Sequence, residues 1–262
     1  MATSVTPEIN GYELTDDQVG KLRSWCKGNA GAASSATDET FTRPLAPVLV
    51  GGDLFIYSMS RMFFESYGVR PLVLIAENVK IVTTTKFAEI MYVHGTDDEP
   101  TLLGALKAVS DAVAPCDPML HVLGTGDWYA RTFARNAELL RSWGFTTPYC
   151  DYDTFDSITQ KGAFQGICDE LGIAHPGTYA MPCDESAEAV DPYACPFSFP
   201  VIAKPSNSAA WHYVEFDGKA KVMTVDSAEE LARVYSALRP SCYDKDLLVQ
   251  DMIPGFDESL YS

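Results

Sequence analysis

Positive charge is scarce in this chain: 19 Lys and Arg stand against 36 Asp and Glu, for a formal net charge of −17 at pH 7. Such a surface repels phosphate backbones and anionic headgroups, so neither nucleic acid nor membrane is expected as a partner. The seven cysteines include no pair at CxxC spacing, and with four histidines in the whole chain no Cys/His cluster has the pattern of a zinc site. Reduced thiols packed as small core residues, and a cytoplasmic location, fit that usage best. No apolar run is long enough to span a bilayer. The N-terminus has no basic stretch followed by an apolar one, so no signal peptide is expected. There is no GxGxxG, no long glycine-rich phosphate loop and no internal repeat.

What remains is a chain of 262 residues with 47% hydrophobic and 11% aromatic content, enough for one large or two compact domains. Residues 1–44 read as peripheral. Thr15-Asp16-Asp17-Gln18 opens a short helix to about Lys27, and the Gly/Ala/Ser/Thr-rich segment from Gly28 to Thr42 reads as a mobile connector. From Pro47 the pattern alternates. A strand at Val48–Val50 leads through Gly51-Gly52-Asp53 into a helix whose apolar positions are Leu54, Phe55, Met59, Met62, Phe63 and Tyr67, stopped by Gly68. Strands follow at 71–76, 90–93 and 119–123, with helices at 101–114 and 128–143 and a last strand at 146–149. This is βαβ repetition, the basis of a parallel doubly wound sheet. Loops at the carboxyl ends of such strands line a crevice, which makes Asp53, Thr125 and Asp127 candidate substrate contacts. Asp53 and Asp127 stand equally well as helix caps.

The second half changes character. A helix over Asp153–Leu171 is expected to turn Phe155, Ile158, Phe164, Ile167, Cys168 and Leu171 inward. The chain then turns out through 172–178, and Pro182–Pro196 reads as a surface loop. Phe199-Pro200-Val201-Ile202-Ala203-Lys204 is a short buried strand that ends in one lysine and a small polar loop. A hairpin around Asp217-Gly218 is expected to pair 211–216 with 220–225. Ser227-Ala228-Glu229-Glu230 opens a helix to about Leu238, and Asp246–Gln250 is a strand continuing into Asp251-Met252-Ile253-Pro254-Gly255.

The order of these segments resembles the ATP-grasp superfamily: a helix with Lys161, Gly-Ile-x-x-Pro, a strand with Lys204, a loop, a helix, then Leu-Val-Gln-Asp-Met-Ile-Pro-Gly. Within it, Lys204–Ser208, Phe216–Val222 and Gln250–Gly255 are similar to carboxylate–amine ligases of the D-aspartate ligase type. The resemblance implies an α/β fold in three parts: a helix and flexible leader over 1–44, a Rossmann-like pre-ATP-grasp domain over 45–152, and an incomplete α+β N-terminal ATP-grasp lobe over 153–262. It implies that Lys204 meets the α-phosphate of ATP, that Lys161 is the second phosphate lysine, and that Ser206 opens the loop over the phosphates. Gln250, Asp251 and Ile253 would then belong to the adenine-reading segment, and Asp257, with Glu258 as its neighbour, to the ribose. The Mg²⁺ ligands and the catalytic lobe are expected beyond residue 262, leaving a nucleotide-binding but inactive fragment with no catalytic or metal residue of its own. The implied reaction joins a carboxylate to an amine through an acyl-phosphate, with D-aspartate and a peptidoglycan-precursor amine as one substrate pair and a homodimer as one assembly. The alternatives are a biotin carboxylase or carbamoyl-phosphate type of ATP-grasp chemistry, a non-catalytic nucleotide-binding module, and an NAD(P)-dependent oxidoreductase.

Overall fold

The computed structural model describes every residue except 1–6, 8, 35–39, 160, 208–210, 212–213, 242, 254 and 256–262. The chain divides into two compact units, Met1–Asp156 and Ser157–Ser262.

In the first unit α1 (Asp16–Gly28) is followed by β1 (Leu45–Val50), α2 (Leu54–Tyr67), β2 (Leu72–Ile75), α3 (Lys80–Thr83), β3 (Glu89–Tyr92), α4 (Glu99–Val113), β4 (Met119–Gly124), α5 (Asp127–Arg135), α6 (Ala137–Ser142) and β5 (Phe145–Thr146). The strands form one all-parallel sheet in the order β3-β2-β1-β4-β5. Every residue of β1 and β2 is buried, as continuous apolar runs require when both faces of a parallel sheet are covered. One face packs Val48, Val50, Leu72, Leu74 and Val122 against Leu102, Leu106 and Val109 of α4 and Leu22, Trp25 and Cys26 of α1. The other packs Leu49, Val73 and Ile75 against Ile56 of α2 and Val82 of α3.

Three expectations change here. Residues 1–44 are not peripheral where they are described. Helix α1 starts on the expected Thr15/Gln18 capping box and contributes to the core. Past it, Asn29 and Ala32 are buried and Phe41 packs on Tyr67, so the described ends of the 28–42 segment are tied to the body. In α2 the buried positions are Ile56 and Ser60, whereas Leu54, Phe55 and Met62 are exposed. The helix expected over 128–143 divides at Asn136, whose amide is drawn inward to Glu99 Oε1 and Thr132 O, both at 2.9 Å. The Cys26 thiol is pushed up to about 12, chiefly by burial, as befits a packed rather than a reactive cysteine.

After α7 (Tyr152–Thr159), the second unit contains α8 (Lys161–Leu171), β6 (Thr178–Pro182), β7 (Val201–Pro205), β8 (Met223–Val225), α9 (Ala228–Leu238) and β9 (Asp246–Asp251). Its sheet is antiparallel, in the order β6-β9-β7-β8. Alternate residues Met181, Val201, Ala203, Met223, Val225, Leu247 and Val249 face a core closed by Leu231, Tyr235 and Leu238 of α9. Arg239, just past α9, fastens the loop after β6 by donating to the backbone oxygens of Pro182, Asp184, Glu185 and Ala187.

The expected 211–225 hairpin does not form among the described residues. The turn at Asp217-Gly218 is present, with Gly218 at φ 80°, but β8 pairs with β7 instead. Trp211 is buried edge-on against Phe216 and Tyr243, so its side chain fills core rather than extending a ribbon. Strand β6 was not expected, and spans the gap between the 172–178 turn and the 182–196 loop. In α7 and α8, Cys168 is buried while Ile158, Phe164 and Leu171 are exposed, so the inward stripe is narrower than expected.

Candidate functional site

In the first unit the strand order reverses between β1 and β4, and an open parallel sheet is cleft at the carboxyl ends of the strands where that happens. Asp53 and Thr125 meet there, the threonine hydroxyl donating to Asp53 Oδ2 at 2.8 Å. Asp53 Oδ1 also caps α2 through the Ile56 N–H at 3.0 Å, which is the capping role expected of it. Asp127 is the first residue of α5, with no side-chain cap bond at that helix start. Its charge complements the helix N-terminus without capping it. Small residues make this end of the sheet possible. Gly51 sits at φ 128°, and a Cβ on Gly124 would stand 2.5 Å from Tyr129 Cβ. The Tyr149 hydroxyl closes β4, accepting from Gly124 N at 2.9 Å and donating to Gly124 O at 2.8 Å; burial pushes that phenol up from its ordinary value.

The second unit carries its candidate on a sheet face. Because Val201 and Ala203 point into the core, Ile202 and Lys204 point the other way. The register places Gln250 opposite both Ile202 and Thr178, and Leu248 opposite both Lys204 and Ala180. Lys204, Gln250 and Thr178 therefore share the face remote from the α9 core. Lys204 is half-buried and enters no ion pair among the described residues, in a chain with 36 acidic side chains. An unneutralised ammonium on a partly desolvated surface is suited to an anionic ligand.

Gln250 is only 9% exposed and is held at one end: its Nε2 donates to Thr178 Oγ1 at 2.7 Å. The same hydroxyl accepts from Gln165 Nε2 of α8 and donates to Pro176 O at 3.4 Å. No buried side-chain nitrogen or oxygen among the described residues lacks a partner. Gln250 Oε1 has none among them, so it is the atom of this residue that keeps contact with solvent. The strand leads on into Met252 and Ile253, 44% and 70% exposed, while Asp251 N–H is taken by Gly177 O at 3.1 Å. Ser206 is engaged within the fold. Its hydroxyl accepts from Asp246 N at 3.2 Å and lies 3.4 Å from Tyr243 OH, which also receives Asn207 N–H. Lys161 opens α8, one turn before Gln165; its side chain and Asp257 lie outside the described residues. Sequence reasoning missed Thr178 and Gln165. The available signal was Thr178 two residues after Pro176, at the start of a short strand.

No family model matches the sequence. A D-aspartate ligase from Enterococcus faecium (strain Aus0004) is 26% identical over 215 residues, covering 82% of this chain and 51% of that protein. Among solved structures, N5-carboxyaminoimidazole synthetase from Staphylococcus aureus, complexed with ADP, superposes with a TM-score of 0.53 at 13% identity, over 80% of this chain and 48% of that one. The L-amino acid ligase from Bacillus licheniformis gives 0.50 at 16% identity, over 82% and 46%. The chain has the ATP-grasp fold and is similar in sequence to a D-aspartate ligase. It spans about half the length of the proteins it matches.

Among the described residues no three His, Cys, Asp or Glu side chains gather as metal ligands, and no helix is long and apolar enough to cross a membrane.

Proposed function

We propose that this chain forms the nucleotide-holding part of an ATP-dependent carboxylate–amine ligase. Residues 1–44 form its leader, 45–152 the pre-ATP-grasp domain and 153–262 the first ATP-grasp lobe. The observation that carries the reading is the one sheet face shared by Lys204, with no ion-pair partner among the described residues, and Gln250, whose carbonyl oxygen is free. The register sets Lys204 two residues along β7 from the partner of Gln250, and in this reading a nucleotide lies along the strands: Lys204 neutralises phosphate oxygen, and Gln250 Oε1 accepts from the exocyclic amine of adenine. Met252 and Ile253 supply apolar surface for the ring. Lys161, one turn from an α8 residue anchored to the same sheet, is the second phosphate lysine. Ser206 keeps the strand end in place and Asp257 takes the ribose hydroxyls.

In the reaction, a substrate carboxylate oxygen attacks the γ-phosphorus of ATP and ADP leaves. An amine then attacks the acyl carbon of the acyl-phosphate; inorganic phosphate departs, the nitrogen loses a proton and an amide remains. Positioning and charge neutralisation supply most of the rate of such phosphoryl transfer. Mg²⁺, when bound, adds neutralisation of the phosphates, and no described residue is assigned to hold it. Asp53, Thr125 and Asp127 are the candidate contacts for the acid or the amine. Likeness to D-aspartate ligase favours D-aspartate and a peptidoglycan-precursor amine, handled in the cytoplasm.

The test is nucleotide affinity. Lys204→Ala is expected to weaken ATP binding by roughly 10- to 100-fold, the worth of a hydrogen bond to a charged group. Unchanged affinity measured by calorimetry, with the circular dichroism spectrum retained, would remove Lys204 from the site.

A further inference from the structure

The hydroxyl of Thr178 has one proton and two acceptor positions. The Thr178 hydroxyl places that proton on the Pro176 carbonyl oxygen, at 3.4 Å. Both lone pairs are then left for the two amides that approach, Gln165 Nε2 and Gln250 Nε2. While the proton is on Pro176 O, neither glutamine can turn its carbonyl toward Thr178 without setting two acceptors face to face. Pro176 O is itself held by His175 Nδ1 at 3.1 Å, and His175 Nε2 by Asp169 Oδ1 at 3.0 Å. The sense of the hydrogen bonds is thus set from α8 and the 172–178 segment, before any ligand arrives.

We infer that Thr178 is a positioning residue that presets the Gln250 amide with Oε1 outward, and so selects a purine with an amine at C6 over one with a carbonyl there. The inference rests on the nucleotide reading of this face and adds its base specificity. A glutamine is an ambivalent reader: rotated by half a turn about its last bond, it would offer N–H instead and welcome a C6 carbonyl. A preset acceptor confronted with a carbonyl leaves two buried acceptors unpaired, which is how a polar site rejects the wrong partner.

The experiment compares ATP with inosine 5′-triphosphate, whose base bears a carbonyl at C6, by competition against a fluorescent ATP analogue on this chain. The native chain is expected to prefer ATP by roughly 10- to 100-fold. Thr178→Val keeps the shape of the side chain but frees the amide, and the preference should fall to within about threefold of unity, because inosine triphosphate gains as ATP loses. Thr178→Ser should restore it. In a Gln250→Glu background, whose carboxylate cannot donate, Thr178→Val should leave the preference unaltered. A preference unchanged in Thr178→Val overturns the inference while leaving the nucleotide site standing. Absence of binding of either nucleotide to the native chain overturns both. Should Thr178→Val fail to fold, Thr178→Ala is read by the same ratio, which a purely structural role for the threonine does not move.

Discussion

The two sheets use opposite solutions to the same problem. In the first unit the sheet is parallel, both faces are covered by the unit's own helices, and the polar residues of interest lie beyond the strand ends, at Asp53 and Thr125. In the second the sheet is antiparallel, one face makes the core with α9, and the other carries Lys204, Gln250 and Thr178 within the strands. A strand buried on both sides has no room for a lysine, because an unpaired charge there costs several kcal/mol. A strand with one core face can carry a lysine on the other at little cost. The place where the candidate residues stand follows from the layering: at the strand ends of the first sheet, and on one face of the second.

That contrast can be broken in stages. The largest effect is expected in the doubly covered sheet. Leu49→Ala removes a fully buried side chain from β1 and should cost about 2–5 kcal/mol, read as a lower urea midpoint. A cost below about 1 kcal/mol would mean that this face is looser than its packing indicates. A middling effect is expected where both units close a strand with a tyrosine. Tyr243→Phe removes the hydroxyl that accepts from Asn207 N–H and donates to Asp246 O, leaving Asp246 O only its bond from Ser206 N–H at 3.0 Å, and Tyr149→Phe orphans both backbone groups of Gly124. Each should lose about 1–3 kcal/mol; equality of Tyr149→Phe with wild type would show that Gly124 finds water instead. The smallest effect concerns His175. Its hydrogen bond to Asp169, helped by Pro176 O, raises its pKa above the ordinary value, since both ring nitrogens face acceptors. With the folded value above the unfolded one, the stability it adds is full below about pH 6.5 and is lost as pH rises through the folded pKa. The ring-proton titration by NMR should have its midpoint above 6.5, and Asp169→Asn should bring it down. A midpoint at or below the ordinary value would dissolve this link to Pro176.

Much of the first unit was legible because its evidence is local and repeated. Unbroken apolar runs at β1 and β2, glycine stops and capping signals all agree there, and the C-cap at Gly68 adopts φ 70° as its type suggests. The division at Asn136 was not legible, because the feature that decides it, an amide drawn to Glu99, is a contact 37 residues away. In the second unit the Asp217-Gly218 signal was read correctly as a turn and wrongly as a hairpin. A turn specifies a reversal, whereas the pairing is set by what the flanking side chains bury, and Trp211 is committed to the Tyr243 cluster. Lys204 and Gln250 were legible as residue types in order along the chain. Their common face needed the β7–β9 register. For Thr178 the sequence offered only Pro176 two residues before it, and its place on the shared face needed β6, a strand of five residues that ends in proline.

Trp211 has a consequence of an experimental kind. Trp25, Trp128 and Trp143 belong to the first unit, and Trp211 is the one tryptophan of the second. It is 4% exposed, its indole N–H donates to Ala220 O at 3.2 Å, and its ring meets Tyr243 edge-on at 5.2 Å. Its own backbone N–H returns to Asn207 O at 3.2 Å, three residues past Lys204. With the other three replaced by phenylalanine, the emission of the chain would come from this single indole. The second unit thus carries a built-in fluorophore beside the strand end that bears Lys204, and a ligand drawn to that lysine would announce itself as a change of colour before any product is measured.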